Sequence, residues 1–173
     1  MKLKIITSLL LTLAFILSQT IPSIFTIPDF NVIILIILII LNGSYNKSLI
    51  YGVFIGILSA LSIRTPNAQI PVFISKVVIS QLAYLLILTL KNINKDKSIN
   101  TVLFLGLFLD NLIFFILWFS MNGILTNKYS YAVILELVIV FIISSIINTI
   151  IGKEIIKLLN KCIEYDKMRR YDG

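Results

Sequence analysis

The sequence predicts an all-α integral membrane protein, a compact bundle of about six transmembrane helices with both termini cytoplasmic. Three observations carry that prediction. Of 173 residues, 58% are hydrophobic and 13% charged, and the mean hydropathy is +1.02, too little polar surface for a soluble domain. Apolar runs recur from one end of the chain to the other, so a single anchor beside a soluble domain does not fit. The basic residues also alternate. Lys2, Lys4, Lys47, Lys91, Lys95, Lys97 and the tail from Lys153 to Arg170 fall on one side of a six-helix chain, while the other side keeps Arg64 and Lys128. By the positive-inside rule the richer side is cytoplasmic.

The elements follow in order. Helix one is expected over 3–20. Lys2 and Lys4 ahead of an apolar run have the look of a signal peptide, but no A-x-A-like cleavage site follows, so the run reads as an uncleaved first helix. Pro22 and Pro28 bracket an irregular outer segment. The unbroken run from Val32 to Leu41 carries helix two (32–42), short for a full span. Helix three is expected over 48–63, where Gly52, Gly56 and Ala60 recur every fourth residue. Such a stripe of small residues lets another backbone approach closely, within the chain or, less favoured, on another subunit. After the polar connection 64–71, helix four is expected over 71–90, helix five over 101–121, and helix six over 131–151. Helix six continues as a basic, helical cytoplasmic tail over 152–173, and the whole is read as a single transmembrane domain.

Several chemistries are excluded by absence. Histidine does not occur and Cys162 is the sole cysteine, which removes Cys/His metal sites, His-based triads and an intrachain disulfide. No enzyme activity, metal or cofactor is expected. Anionic lipid headgroups and topology account for the basic tail without nucleic acid.

Three ionisable residues fall inside the expected spans: Lys76, Asp110 and Glu136. A charge at the centre of a membrane helix costs roughly 2.5–3.5 kcal/mol on the insertion scale, so such residues turn toward one another or toward a wet cavity. Counting down from the outer boundary, Lys76 lies about 8 Å deep at 1.5 Å per residue, level with Glu136, with Asp110 deeper. Two readings stand side by side: a Lys76–Glu136 ion pair that pins helices four and six, or a split site for a substrate anion and cation. Phe73, Lys76, Ser80 and Tyr84 share one face of helix four. Gly106, Asp110, Phe114 and Trp118 share one face of helix five. Turned inward, these faces line an outward-opening pocket for an aromatic or heterocyclic solute. Trp118 alone fits the interfacial aromatic belt slightly better.

From Leu17 to Leu82 the motifs run Ile27-Pro28-Asp29-Phe30, then Gly52-Val53-Phe54-Ile55-Gly56-Ile57-Leu58-Ser59-Ala60-Leu61. Thr65-Pro66-Asn67-Ala68-Gln69-Ile70-Pro71 follows, and then Ser75-Lys76. This order resembles the bacterial tryptophan-transporter family, itself similar to the substrate-binding S components of energy-coupling factor transporters. That family has a Pro-Asp before its second helix, a G-x-x-x-G-x-x-S-A-L helix, a loop reading T-x-x-P-x-x-Q-I-P, and then a lysine. Here Pro66 follows Thr65 directly, and Ser75 stands where the family carries an acidic residue.

The resemblance implies an S-component-like bundle with its solute site near the outer face. It also implies small residues that dock on a transmembrane coupling subunit driven by two ATPases. Ser8 and Thr12 on helix one are the candidates for that docking, with Gly52, Gly56 and Ala60 as better small residues on a different helix. No G-x-x-x-x-G-K-[ST] pattern occurs, so any ATP would be hydrolysed by another chain.

The expected function is therefore a carrier, or substrate-binding subunit, for a small aromatic zwitterion in the bacterial cell membrane, with tryptophan first. Arg64, Gln69 and Lys76 are the candidates for the carboxylate, Asp29 and Glu136 for the ammonium. Phe73, Tyr84, Phe114 and Trp118 are candidates for the ring, while Asp110 suits a proton relay or plain packing. The rivals are an S component for a vitamin, a non-transport accessory or scaffold protein, and, last, a membrane enzyme.

Overall fold

The computed structural model describes residues 2–20, 29–63, 65, 67–122 and 131–168. Among these there is no strand, and six helices follow one another: α1 (Lys2–Thr20), α2 (Phe30–Asn42), α3 (Tyr45–Ser62), α4 (Gln69–Leu90), α5 (Lys95–Met121) and α6 (Tyr131–Met168). Among the described residues three stretches are long and apolar enough to cross a membrane, Gln69–Leu90, Asp96–Met121 and Leu135–Lys161.

The shortest helix is the central one. The Ile- and Leu-rich α2 is apolar all round, and from Val32 to Ile39 no residue is more than 1% exposed. It touches every other helix. Its 13 residues reach about 20 Å, less than the roughly 30 Å of a hydrocarbon core. Its N-terminus is capped by Asp29, whose side chain accepts the Val32 N–H. Asp29 lies level with Asn148 of α6, to which its backbone N–H donates at 3.0 Å. One turn further on, Ile33 lies beside Gly152, so α2 and α6 run parallel.

Helices α3 and α4 run antiparallel. A Cβ on Gly52 would meet the Ser80 side chain, and one on Gly56 would meet Phe73, with its Cδ2 at 3.0 Å. The paired positions thus advance on α3 as they retreat on α4. Van der Waals contact of this kind holds helices together where lipid supplies no hydrophobic drive. At the rim, Asn67 donates through Nδ2 to Oδ1 of Asn122 at 3.2 Å, joining the α3–α4 connection to the end of α5. Asn67 adopts φ 57°, the left-handed region that asparagine tolerates better than most residues.

Helix ends differ from the hydropathy reading for identifiable reasons. The start of α4 at Gln69 places Pro71 in the first turn, where its missing N–H is not needed. Asn94 caps α5 by accepting the Asp96 N–H at 3.0 Å, so that helix begins in polar sequence six positions before the apolar run. The helical tail expected beyond Ile151 is present, and α6 continues through the basic segment to Met168.

Candidate functional site

The N-terminal end of α2 opens on a cavity of about 70 Å³. Asp29 and Asn31 contribute from α2, Ser59 and Ile63 from the end of α3, and Val72 and Lys76 from α4. The wall is completed by Asp110, Asn111, Phe114 and Phe115 of α5.

Lys76 organises the charges. Its Nζ donates to Oδ2 of Asp110 at 2.6 Å, and Oδ2 of Asp29 lies 3.4 Å away. The Lys76 and Asp110 side chains are 6% and 4% exposed, whereas Asp29 keeps 29%. A charge-assisted bond of that length in a water-poor interior is strong, and it offsets a desolvation that neither ion would bear alone. Asp29 is also held from its other side. Its Oδ1 accepts the Val32 N–H at 3.2 Å, which leaves Oδ2 for the lysine. Asn148, whose Oδ1 accepts the Asp29 N–H, is positioned in turn by donating to Ser144 Oγ at 3.2 Å. Behind the cavity stands an aromatic wall. Phe114 stacks on Trp118 at 6.4 Å, Phe115 meets Phe141 at 4.7 Å, and Phe114 and Trp118 close over Ile63, Ala68 and Val72.

A buried ammonium flanked by two carboxylates and by aromatic rings is suited to a zwitterion with an aromatic side chain. The present space holds a few water-sized groups, well short of the roughly 300–1,000 Å³ of small-molecule sites.

The family model for "Tryptophan transporter TrpP" matches residues 1–164. The chain belongs to the TrpP tryptophan transporter family. A probable tryptophan transport protein of Clostridium perfringens is 29% identical over 170 residues, covering 94% of this chain and 93% of the relative. Another, from Clostridium acetobutylicum, is 33% identical over 99 residues, covering 56% of this chain and 58% of the relative. No solved structure matches the chain. Membership makes the chain a membrane transport protein, in keeping with its apolar helices.

Within this member of the TrpP family, the structure brings Asp29, Lys76, Asp110 and Phe114 to one cavity. Trp118 lies one layer behind, against Phe114. Phe73 turns to Gly56 in the α3–α4 seam, and Ala60 is half-buried on α3. Gln69 is exposed at the start of α4, and Tyr84 pairs edge-on with Tyr45 at 6.2 Å, away from the cavity. Ser8 and Thr12 are exposed on α1, where Thr12 Oγ1 donates to the Ser8 carbonyl. Arg64 lies outside the described residues.

The expected Lys76–Glu136 pair is corrected. Glu136 is exposed on α6, and the lysine bonds to Asp110 and Asp29 instead. Depth counting fails here because it ignores which way each helix face turns, and because the long lysine stem bridges a difference in depth.

Sequence reasoning overlooked Asn31, Ser59, Asn111 and Asn148. Ser59 carries a readable signal, since it shares the face of Gly52 and Gly56 by a seven- and a three-residue step. Asn148 belongs to a polar group, with Ser144, Ser145 and Thr149, in an otherwise apolar helix. Asn31 and Asn111 sit beside the two aspartates. Among the described residues no group of three His, Cys, Asp or Glu is arranged to hold a metal.

Proposed function

We propose that this protein carries tryptophan across a bacterial cell membrane and that the Lys76 cavity is where tryptophan binds. The observation that supports the reading is one buried lysine held between two aspartates beside an aromatic wall, in a chain of a tryptophan transporter family. The tryptophan carboxylate takes the Lys76 ammonium from Asp110. Asp29, the more accessible acid, receives the substrate ammonium, and the indole contacts Phe114 and Trp118. The closed Lys76–Asp110 bond is the substrate-free state, in which these two ions neutralise one another. Binding exchanges partners instead of exposing a bare ion, which keeps the barrier to opening low.

In this reading the bundle works as an S-component-like subunit. Both termini are cytoplasmic, in line with the basic residues of 153–170, and the cavity faces outward. ATP is hydrolysed on two partner subunits joined through a transmembrane coupling protein. Gln69 and Arg64, at the outer connection, meet the substrate on its way in.

Equilibrium binding to the purified protein in detergent tests the substrate. Tryptophan is expected to bind saturably, ahead of phenylalanine, tyrosine and a panel of vitamins. A vitamin that binds while tryptophan does not would assign a different S component. A structural role is the second reading, favoured by the 2.6 Å Lys76–Asp110 bond that ties α4 to α5. It predicts that folded protein binds none of these ligands.

A further inference from the structure

We propose that the cavity holds a monovalent alkali-metal cation together with the substrate, coordinated by the carboxylate of Asp110 with Asn31 and Ser59. The inference rests on the substrate reading above and adds a second ligand to it.

Two independent observations carry it. The first is a set of oxygens. Oδ1 of Asp110, Oδ1 of Asn31 and Oγ of Ser59 are buried without a hydrogen-bond partner, and all three residues line the same cavity. The residues are 3%, 5% and 1% exposed. Buried oxygens are normally paired, so three orphans around one small space mark a place for a group that accepts electron pairs.

The second is charge. Among the described residues the cluster holds two carboxylates and one ammonium, a surplus of one negative charge. A zwitterion adds one charge of each sign and leaves that surplus unchanged, but it redistributes the partners. Asp29 is provided for: it caps α2 at the positive end of the helix dipole, stays partly exposed, and takes the substrate ammonium. Asp110 is more deeply buried, with the Ser75 hydroxyl beside it. Its ion-pair partner is Lys76 at 2.6 Å, and that ammonium turns to the substrate carboxylate. A buried carboxylate stripped of its partner is strongly unfavourable. A cation must replace the lysine.

A proton on Asp110 would cancel the charge but leave the Asn31 and Ser59 oxygens to water alone. An alkali cation answers all three. It is a hard ion that takes carboxylate, amide and hydroxyl oxygens, whereas a transition metal would want nitrogen or sulfur ligands that are not present here. The single surplus charge matches a monovalent ion. The space of about 70 Å³ exceeds what one water-sized occupant needs, about 10–15 Å³ by the same measure. By linkage, cation and tryptophan each tighten the binding of the other by the same factor.

The test is tryptophan affinity of the full-length protein in detergent, in sodium, potassium and choline chloride at equal ionic strength, each at mildly acidic and mildly alkaline pH. The proposal predicts a Kd at least about tenfold lower in one of the alkali salts than in choline, at both pH values. Asp110→Asn removes the surplus charge and should abolish the difference between salts. Ser59→Ala should raise several-fold the alkali concentration that gives half the effect. Equal affinity in all three salts, with dependence on pH alone, would overturn the alkali ion in favour of a proton. Loss of tryptophan binding in every salt by folded protein is a different result: it refutes the substrate reading, and the cation falls with it.

Discussion

Beside the cavity, Lys76 meets Asp110 at 2.6 Å with side chains 6% and 4% exposed. Toward the far end of α6, Lys157 meets Glu154 at 3.7 Å with side chains 60% and 58% exposed. Both are lysine–carboxylate contacts, but their surroundings separate them. The exposed pair lies one turn apart on a single helix and is screened by solvent, so it contributes little. Its lysine carries information of another sort, about which side of the membrane this end faces. The buried pair joins two helices and is tolerated only because each ion compensates the other. A charge kept where it is costly, beside unpaired oxygens and aromatic rings, is the better guide to function.

Substitutions that break each region should separate them widely. The largest effect is expected for Lys76→Ala, which strands two carboxylates. It should destabilise the protein by about 3–5 kcal/mol and abolish tryptophan binding, as read by thermal unfolding and equilibrium dialysis. Gly52→Val probes a site with packing and no charge. Its new side chain would drive into Ser80, whose Cβ lies 2.7 Å from the first added carbon. A loss of about 1–3 kcal/mol is expected in the same unfolding assay. Phe114→Ala removes a ring from the cavity wall. It should weaken tryptophan about three- to tenfold, the scale of one aromatic contact, with a smaller penalty for a substrate lacking the ring. Lys157→Ala should be the quietest, moving stability by less than about 0.5 kcal/mol and leaving binding alone. A large effect there would erase the distinction between the two regions.

The same contrast explains how far the sequence could be read. Lys76 and Asp110 stand out in apolar runs because lipid makes ionisable residues conspicuous. Their pairing was not legible, since spacing along a helix gives depth and leaves open which neighbour a face meets. Hydropathy marked α2 as a short apolar run, but a helix amid lipid and a helix amid helices look alike in composition. Its central place emerges only from packing, as in the Ile33–Gly152 approach. Ser59 and Asn31 were overlooked because neutral polar side chains are common in membrane helices, and their significance comes from lacking a partner. Helix starts erred where a polar cap, such as Asn94, precedes the apolar stretch.

The central claim is that the Lys76–Asp110 pair recognises substrate and does not merely pin α4 to α5. The most direct test is tryptophan binding by the charge-balanced double variant, Lys76→Met with Asp110→Asn. Removing both ions together leaves only the partly exposed Asp29 without its lysine, so the double variant should unfold close to wild type. The account predicts that it stays folded yet binds tryptophan at least about 100-fold more weakly, the loss of a buried charge-assisted contact. Wild-type affinity in the folded double variant would contradict the account and make the pair a strut.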